Sequence, residues 1–429
     1  MMQMNKIKLS SKFNSFLQYV LLTIILLECN SIYSQLYNYH YYIRGCLIGV
    51  AILILLIFLM SDNKKKQMNT SIISKSIFYI LVCSFIMLLN SGELNGKIIV
   101  ILIFIFFLPL MLLYISRLNR YEFRILLNKF VQIVFIISSV SLFFWLFGSV
   151  LKFVSPINQL KVVWGRPYTL MDNYAFVYFD SKQVQGWVIT NMFIPRNMSI
   201  FAEAPMFAFV ILVAMLFNNN FNDYTSNKNR KILINIIFII TLFSTISVTG
   251  VVCGLLLIFP DLIKFYNNST TFKKKFFIII FAVFMLICLP NCIDLVRNKM
   301  STSSTSARIM DLKNGFHVFT ENPFIGKGIS HPRQFENNVE TGYGYSNTII
   351  PVLTDGGVIL AMIYISPFIA FIIYMIKSKR LNICDIIVLL VYCIIIFTTA
   401  VQYRMLLMLL VCIIYYYFIL KIKNIKKSF

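Results

Sequence analysis

Apolar runs, each about 20 residues long, fill most of this chain, and only two long polar stretches interrupt them. Such a run is long enough for a helix to cross the hydrocarbon core of a bilayer. About twelve can be placed, near 13–31, 42–60, 74–90, 98–116, 130–151, 198–217, 231–247, 249–265, 274–292, 357–376, 384–401 and 404–421. The seventh and eighth are split at Ser247-Val248-Thr249-Gly250, because together they run too long for one span. In lipid the backbone must satisfy its own polar groups, which leaves helices or a closed barrel. Barrel strands alternate polar and apolar residues, and these runs do not. The predicted fold is an all-α polytopic membrane protein, one integral membrane domain over 1–429. With 59% hydrophobic and 13% charged residues, a soluble domain is excluded.

The net charge of +23 could suggest a nucleic-acid partner. Its distribution argues against one. Lys and Arg gather in short clusters between alternate runs, such as Lys64–Lys66, Arg117–Arg124 and Lys273–Lys275. This is the pattern of cytoplasmic loops, and it places both termini in the cytoplasm. Two long loops, 152–199 and 293–356, then lie outside the membrane. Loops of that length are usually functional or disordered. Their aromatic residues and Pro-Gly punctuation predict ordered caps.

Leu26-Leu27-Glu28-Cys29 offers no small-residue cleavage site, so the first span is expected to stay uncleaved. The nine cysteines lie in or at the ends of apolar runs and read as small hydrophobic filler, not a disulfide framework. Cys288 and Cys292 stand one helical turn apart without a third metal ligand nearby, so no metal site is expected. Arg44, Lys97 and Arg404 sit at outer span ends and are expected to snorkel. Asp261, near an inner end, is expected to meet cytoplasmic water.

Candidate chemistry concentrates in the two loops. In Pro195-Arg196-Asn197-Met198-Ser199-Ile200-Phe201-Ala202-Glu203-Ala204-Pro205, Pro195 suits a first helical turn. Seven residues then put Arg196 and Glu203 on one helical stripe, with a kink at Pro205. A charge at that depth needs a partner or a cavity, so the pair is either a structural ion pair or the lining of a substrate site. In the second loop, Ile309, Leu312, Phe316 and Phe319 predict a helix over 307–319. It is too short to span, and an interfacial position suits it. Arg308 at its start opposes the helix dipole, which hints at an anion. Asn322-Pro323-Phe324-Ile325-Gly326-Lys327-Gly328 is a turn with a G-x-G whose amides could meet phosphate. His331, Arg333 and Asn347 follow, and Asp355 reads as an N-terminal helix carboxylate.

In order, these features resemble the O-antigen ligase and polymerase superfamily, specifically its Wzy-type repeat-unit polymerases. The likeness rests on Phe201-Ala202-Glu203-Ala204-Pro205 after a long loop and on the spans joined at 244–250. It rests also on Arg308 followed by Glu321–Gly328, and on Ser346-Asn347 leading to Asp355-Gly356-Gly357. It covers roughly 190–360. The resemblance implies a GT-C-like fold in the bacterial cytoplasmic (inner) membrane. It implies inverting glycosyl transfer without metal or cofactor, joining undecaprenyl-pyrophosphate-linked oligosaccharide units into O-antigen or capsule. The partners implied are a lipid-linked glycan donor and acceptor and the bilayer, with a chain-length regulator and a flippase as candidates. Arg196 and Arg308, and less directly Arg166, map to the pyrophosphate-binding arginines. His331, Arg333, Asn347, Gly326 and Gly328 become candidate substrate contacts. Ligase relatives carry a His just before the Asn of the last motif. Tyr345-Ser346 stands there instead, which favours a polymerase and leaves Glu203 or His331 as general base, with Glu203 preferred. An O-antigen ligase remains an alternative. So does a flippase or transporter, although that should carry more charge deep in its helices.

Overall fold

A computed structural model describes residues 2–36, 40–60, 70–89, 100–101, 103–162, 169–182, 184–187, 192–221, 228–267, 303–328, 346–378 and 382–425. The fold is mostly helical, and eleven of the apolar segments coincide with helices. The remaining one, 274–292, lies outside the described residues, as do Cys288, Cys292 and Lys97. Three described helices are long and apolar enough to cross a membrane, at Arg120–Val150, Ile349–Ser378 and Met405–Lys423.

The chain forms two compact units. The first comprises Met1–Phe130, Asp311–Leu381 and Ile396–Phe429. Helices α1 (Met2–Glu28), α2 (Ile32–Gln35), α3 (His40–Met60), α4 (Thr70–Leu89) and α5 (Leu108–Arg117, entered through a π-turn at Ile103–Phe107) precede α6 (Arg120–Phe144). Further on come α10 (Ser303–Glu321), which belongs to this unit from Asp311, α11 (Ile349–Ser378), α12 (Ile383–Thr398), which belongs to it only from Ile396, and α13 (Met405–Ile425). The central post of this unit is α13, which packs against α11 and α5. Every residue from Met405 to Ile414 is buried, as expected of a helix that is apolar on all sides.

Inside the first unit Lys129 and Arg404 both find partners. Lys129 Nζ donates to Ser15 Oγ at 2.6 Å and Gln18 Oε1 at 2.7 Å. Arg404 does not snorkel. It meets the fully buried Glu28 carboxylate at 3.3 Å, bonds Asn30 Oδ1, and lies beside Met405, whose amide donates to Glu28 Oε2. A buried carboxylate at that position requires a cation.

The second unit comprises Val131–Met310 and Asn382–Ile395. Its post is α7 (Ala204–Asn220), buried throughout from Met206 to Phe217 and flanked by α8 (Lys228–Thr245) and α9 (Val248–Asn267). Segments seven and eight do part at the expected turn, where Ile246 takes φ 51°. Gly250 lets α9 approach, since a Cβ there would stand 2.9 Å from Ala208 Cβ. Asp261 is not left to water alone, because Lys231 meets it at 2.8 Å.

The first long loop corrects the all-α expectation. After a π-turn at Trp145–Val150 it folds into β1 (Asn158–Val162), β2 (Thr169–Tyr174) and β3 (Tyr178–Asp180), an antiparallel sheet in sequence order. Asn158 pairs with Asn173, and Tyr174 with Tyr178. A separate hairpin joins β4 (Val184–Trp187) to β5 (Met192–Pro195). Too polar to span and too short to pack as a bundle, the segment satisfies its backbone by strand pairing. Its Thr, Tyr, Phe and Val residues favour that state.

Candidate functional site

Between β5 and α7 the chain runs without regular structure from Arg196 to Glu203. The expected helical stripe is therefore absent. Pro195 closes a strand, and Pro205 sits in the first turn of α7 without kinking it. Both prolines obey the same rule, because a missing N–H is tolerated at strand ends and first helical turns.

The segment is fixed from several sides. Trp145 Nε1 donates to the Pro195 carbonyl at 2.7 Å. The Phe179 amide donates to the Ser199 carbonyl at 3.0 Å. Asn197 is fully buried, and its Nδ2 donates to Ser244 Oγ at 2.9 Å and Ser141 Oγ at 3.1 Å. Its amide donates to the Ser244 carbonyl at 2.9 Å, while its Oδ1 accepts from the Ser199 amide at 3.2 Å. One side chain thereby joins α6, α8 and the loop. The loop leading into 201–205 is thereby tied to Ser244, at the start of the 244–250 stretch.

Arg196 stands beside this knot. Its Nε donates to the Thr245 carbonyl at 3.0 Å. Among the described residues this is the one hydrogen bond from its guanidinium, so the terminal Nη pair stays available. That pair is the face that grips phosphate with two parallel bonds. Burial pulls the guanidinium below its ordinary value, and the Glu203 carboxylate pushes the other way. An arginine remains charged under such shifts. Glu203 is the N-cap residue of α7, where its carbonyl accepts from Met206 and Phe207, but its carboxylate does not cap the helix. The sequence-level pairing of Arg196 with Glu203 thus survives as electrostatic proximity, by a different backbone route.

The second cluster surrounds a break in α11. Gly357 is non-helical there, at φ 60° and ψ −160°, a region open essentially to glycine alone. The 322–328 loop seals the break. Lys327 and Gly328 amides donate to the Thr354 and Asp355 carbonyls at 2.8 and 2.9 Å. Val358 and Ile359 amides donate to the Pro323 and Phe324 carbonyls at 2.8 and 3.2 Å. The Gly326 amide is also taken, by the Asn322 carbonyl at 3.0 Å. The backbone phosphate cradle expected of Gly326 and Gly328 is thereby corrected, because its donors already serve carbonyls. The glycines allow close approach instead. A Cβ on Gly326 would stand 2.5 Å from the Asp355 carbonyl carbon, and one on Gly357 2.3 Å from the Phe324 oxygen.

Asp355 stands just before the helical half that resumes after Gly357. It lies at the break, where its Oδ2 accepts from Tyr403 Oη at 2.5 Å. Asn347 is buried, and its Oδ1 caps α11 by accepting from the Ile350 amide at 2.9 Å. That atom is committed to the helix rather than to a ligand. Arg308 is placed on α10 by the backbone, its side chain lying outside the described part. Arg166, His331 and Arg333 lie outside the described residues. Among the described residues no three His, Cys, Asp or Glu side chains gather closely enough to hold a metal ion.

Sequence reasoning assigns no place in the fold to Asn197, Tyr403 or Glu28. Glu28 and Arg404 carried a signal, being opposite charges at the ends of the first and last apolar runs. Asn197 carried only its place beside Arg196. Residues 206–365 match the Wzy_C family, described as O-antigen ligase. No curated protein matches the chain.

Proposed function

We propose that this member of the O-antigen ligase/polymerase superfamily is a polymerase, joining lipid-linked oligosaccharide repeat units outside the bacterial cytoplasmic membrane, which it crosses many times. Family members are glycosyltransferase-like enzymes acting on lipid-linked polysaccharide. The substrate class proposed for this chain is a repeat unit on undecaprenyl pyrophosphate.

One observation carries the reading. Arg196 is half-buried at the mouth of α7, held among the described residues by its Nε, with a carboxylate close by. In the proposed step an acceptor hydroxyl attacks the anomeric carbon of the donor sugar. The bond from that carbon to the pyrophosphate oxygen breaks, and the configuration inverts. Negative charge grows on the leaving pyrophosphate, and guanidiniums in a water-poor site stabilise it. Arg196 supplies one, and Arg308, in the same compact unit, the other. Glu203 takes the acceptor proton. Tyr345-Ser346 ahead of Asn347, where ligases carry His, supports polymerisation over ligation.

Deleting the gene and separating surface polysaccharide on a gel tests this. Single repeat units in place of a ladder are expected. Loss of all surface glycan would overturn the polymerase reading in favour of a ligase or flippase.

A further inference from the structure

The helix α10 divides its exposed side into two flanks. Ile309, Leu312 and Phe316 recur at three- and four-residue spacing and are 61%, 43% and 57% exposed. Lys313, His317 and Glu321 recur at four-residue spacing on the adjoining flank. His317 meets Glu321 at 3.4 Å, and Glu321 also binds Lys327. The inner side is different again, with Asp311 buried. A water-facing helix gains nothing from showing three large apolar side chains in a row.

The end of α10 says what covers them. Beyond Glu321 the chain turns into the 322–328 loop, which is bonded to Val358 and Ile359. Those residues open the apolar second half of α11, one of the helices fit to cross a membrane. Val358 and Met362 on that half are exposed, and so is Phe324, at 71%, beside them. The apolar surface of the span therefore continues onto the loop tip, and α10 leaves the tip at the depth where the span begins. An apolar flank beside a charged one, held at that level, is the signature of a helix lying in the interface plane.

We propose that α10 and Phe324 rest on the outer leaflet, with Leu312, Phe316 and Phe324 among the acyl chains and Lys313, His317 and Glu321 in water. Residues 303–328 of the second long loop then form a membrane-contacting element, not a solvent-borne cap. The contact with lipid stands on burial and connectivity, its sidedness on the charge clusters of the opposite loops, and both would survive a failure of the polymerase reading.

Spin labels on single cysteines at 312, 316, 313 and 317, in an otherwise cysteine-free chain, test it. The chain is reconstituted in phosphatidylethanolamine–phosphatidylglycerol vesicles, and relaxation by oxygen is compared with relaxation by an aqueous nickel chelate. The oxygen-to-nickel ratio is expected to be several-fold higher at 312 and 316 than at 313 and 317. Equal ratios at all four would overturn the proposal. So would labels at 312 and 316 shielded from both reagents, which would mean that protein covers the flank. If the cysteine-free chain does not fold, Phe316→Trp and His317→Trp in the natural chain replace it. Brominated lipid should quench the added emission of F316W and spare that of H317W, and the reverse pattern would refute the assignment.

Discussion

At the Arg196 junction side chains hold the backbone in place, whereas at the Gly357 break backbone holds backbone. Asn197 spans α6, α8 and its own loop through amide–hydroxyl bonds, and the neighbouring arginine uses only its Nε among the described residues. Around Gly357 four main-chain hydrogen bonds close the gap, and the glycine there is excluded from any replacement by its φ and ψ. The difference separates roles. Fully committed donors make a fastening, while a partly committed guanidinium makes a binding group.

The contrast can be broken by substitution. Gly357→Ala should act most strongly. The backbone conformation alone costs about 1–3 kcal/mol for a non-glycine residue, and the new Cβ would collide with the Phe324 carbonyl. Loss of folded protein from the membrane, read by immunoblot and thermal unfolding, is the expected result. Normal abundance and melting temperature would mean that the loop is not the fastening described.

Asn197→Ala should come next. The buried Ser199 amide loses its acceptor, and a buried group left without a partner costs about 1–3 kcal/mol, while Ser141 and Ser244 each lose one bond and keep one to a backbone carbonyl. Reduced thermal stability should accompany lost activity, and Asn197→Asp should fail as well, having no N–H to give. Unchanged activity in both variants would dissociate Asn197 from Arg196.

Tyr403→Phe removes the hydroxyl that donates to the Asp355 carboxylate. About 1.5–3 kcal/mol is expected for a bond to a charged group, seen as a lower melting temperature with protein still in the membrane. A melting temperature equal to that of the parent would show that Asp355 is satisfied by other means.

The smallest effect belongs to Glu321, on an exposed surface. Hydrogen bonding from Lys327 holds its carboxylate below the usual range. A depressed folded value means that the stabilisation is present above the ordinary carboxylate value. It is lost as pH falls through the depressed one. Glu321→Gln should flatten that acid-side dependence of melting temperature, and an identical pH profile would remove the pair from the account.

Much of this was legible from residue order. Length and apolarity located the helices, since a lipid-facing helix has few other ways to satisfy its backbone. The split before Val248 was visible because two spans cannot fit one bilayer. The strands at 158–195 were not visible, because short mixed segments there lack the long periodicity that helices display. Arg196 and Glu203 were picked out by charge, but their geometry was misjudged. The seven-residue interval suggested a helix, and Asn197 bonds the loop in another form. The G-x-G was read as a ligand loop because sequence shows a glycine's freedom, not which carbonyl its neighbours' amides will find.

The central claim, that Arg196 grips the pyrophosphate of a lipid-linked glycan, meets its most direct test in polymer length. Cells carrying Arg196→Ala in place of the natural chain, with matched amounts of the protein in the membrane, should show single repeat units and no ladder. Arg196→Lys should recover little of it, since an ammonium lacks the planar fork. A ladder of natural length from the alanine variant would contradict the account.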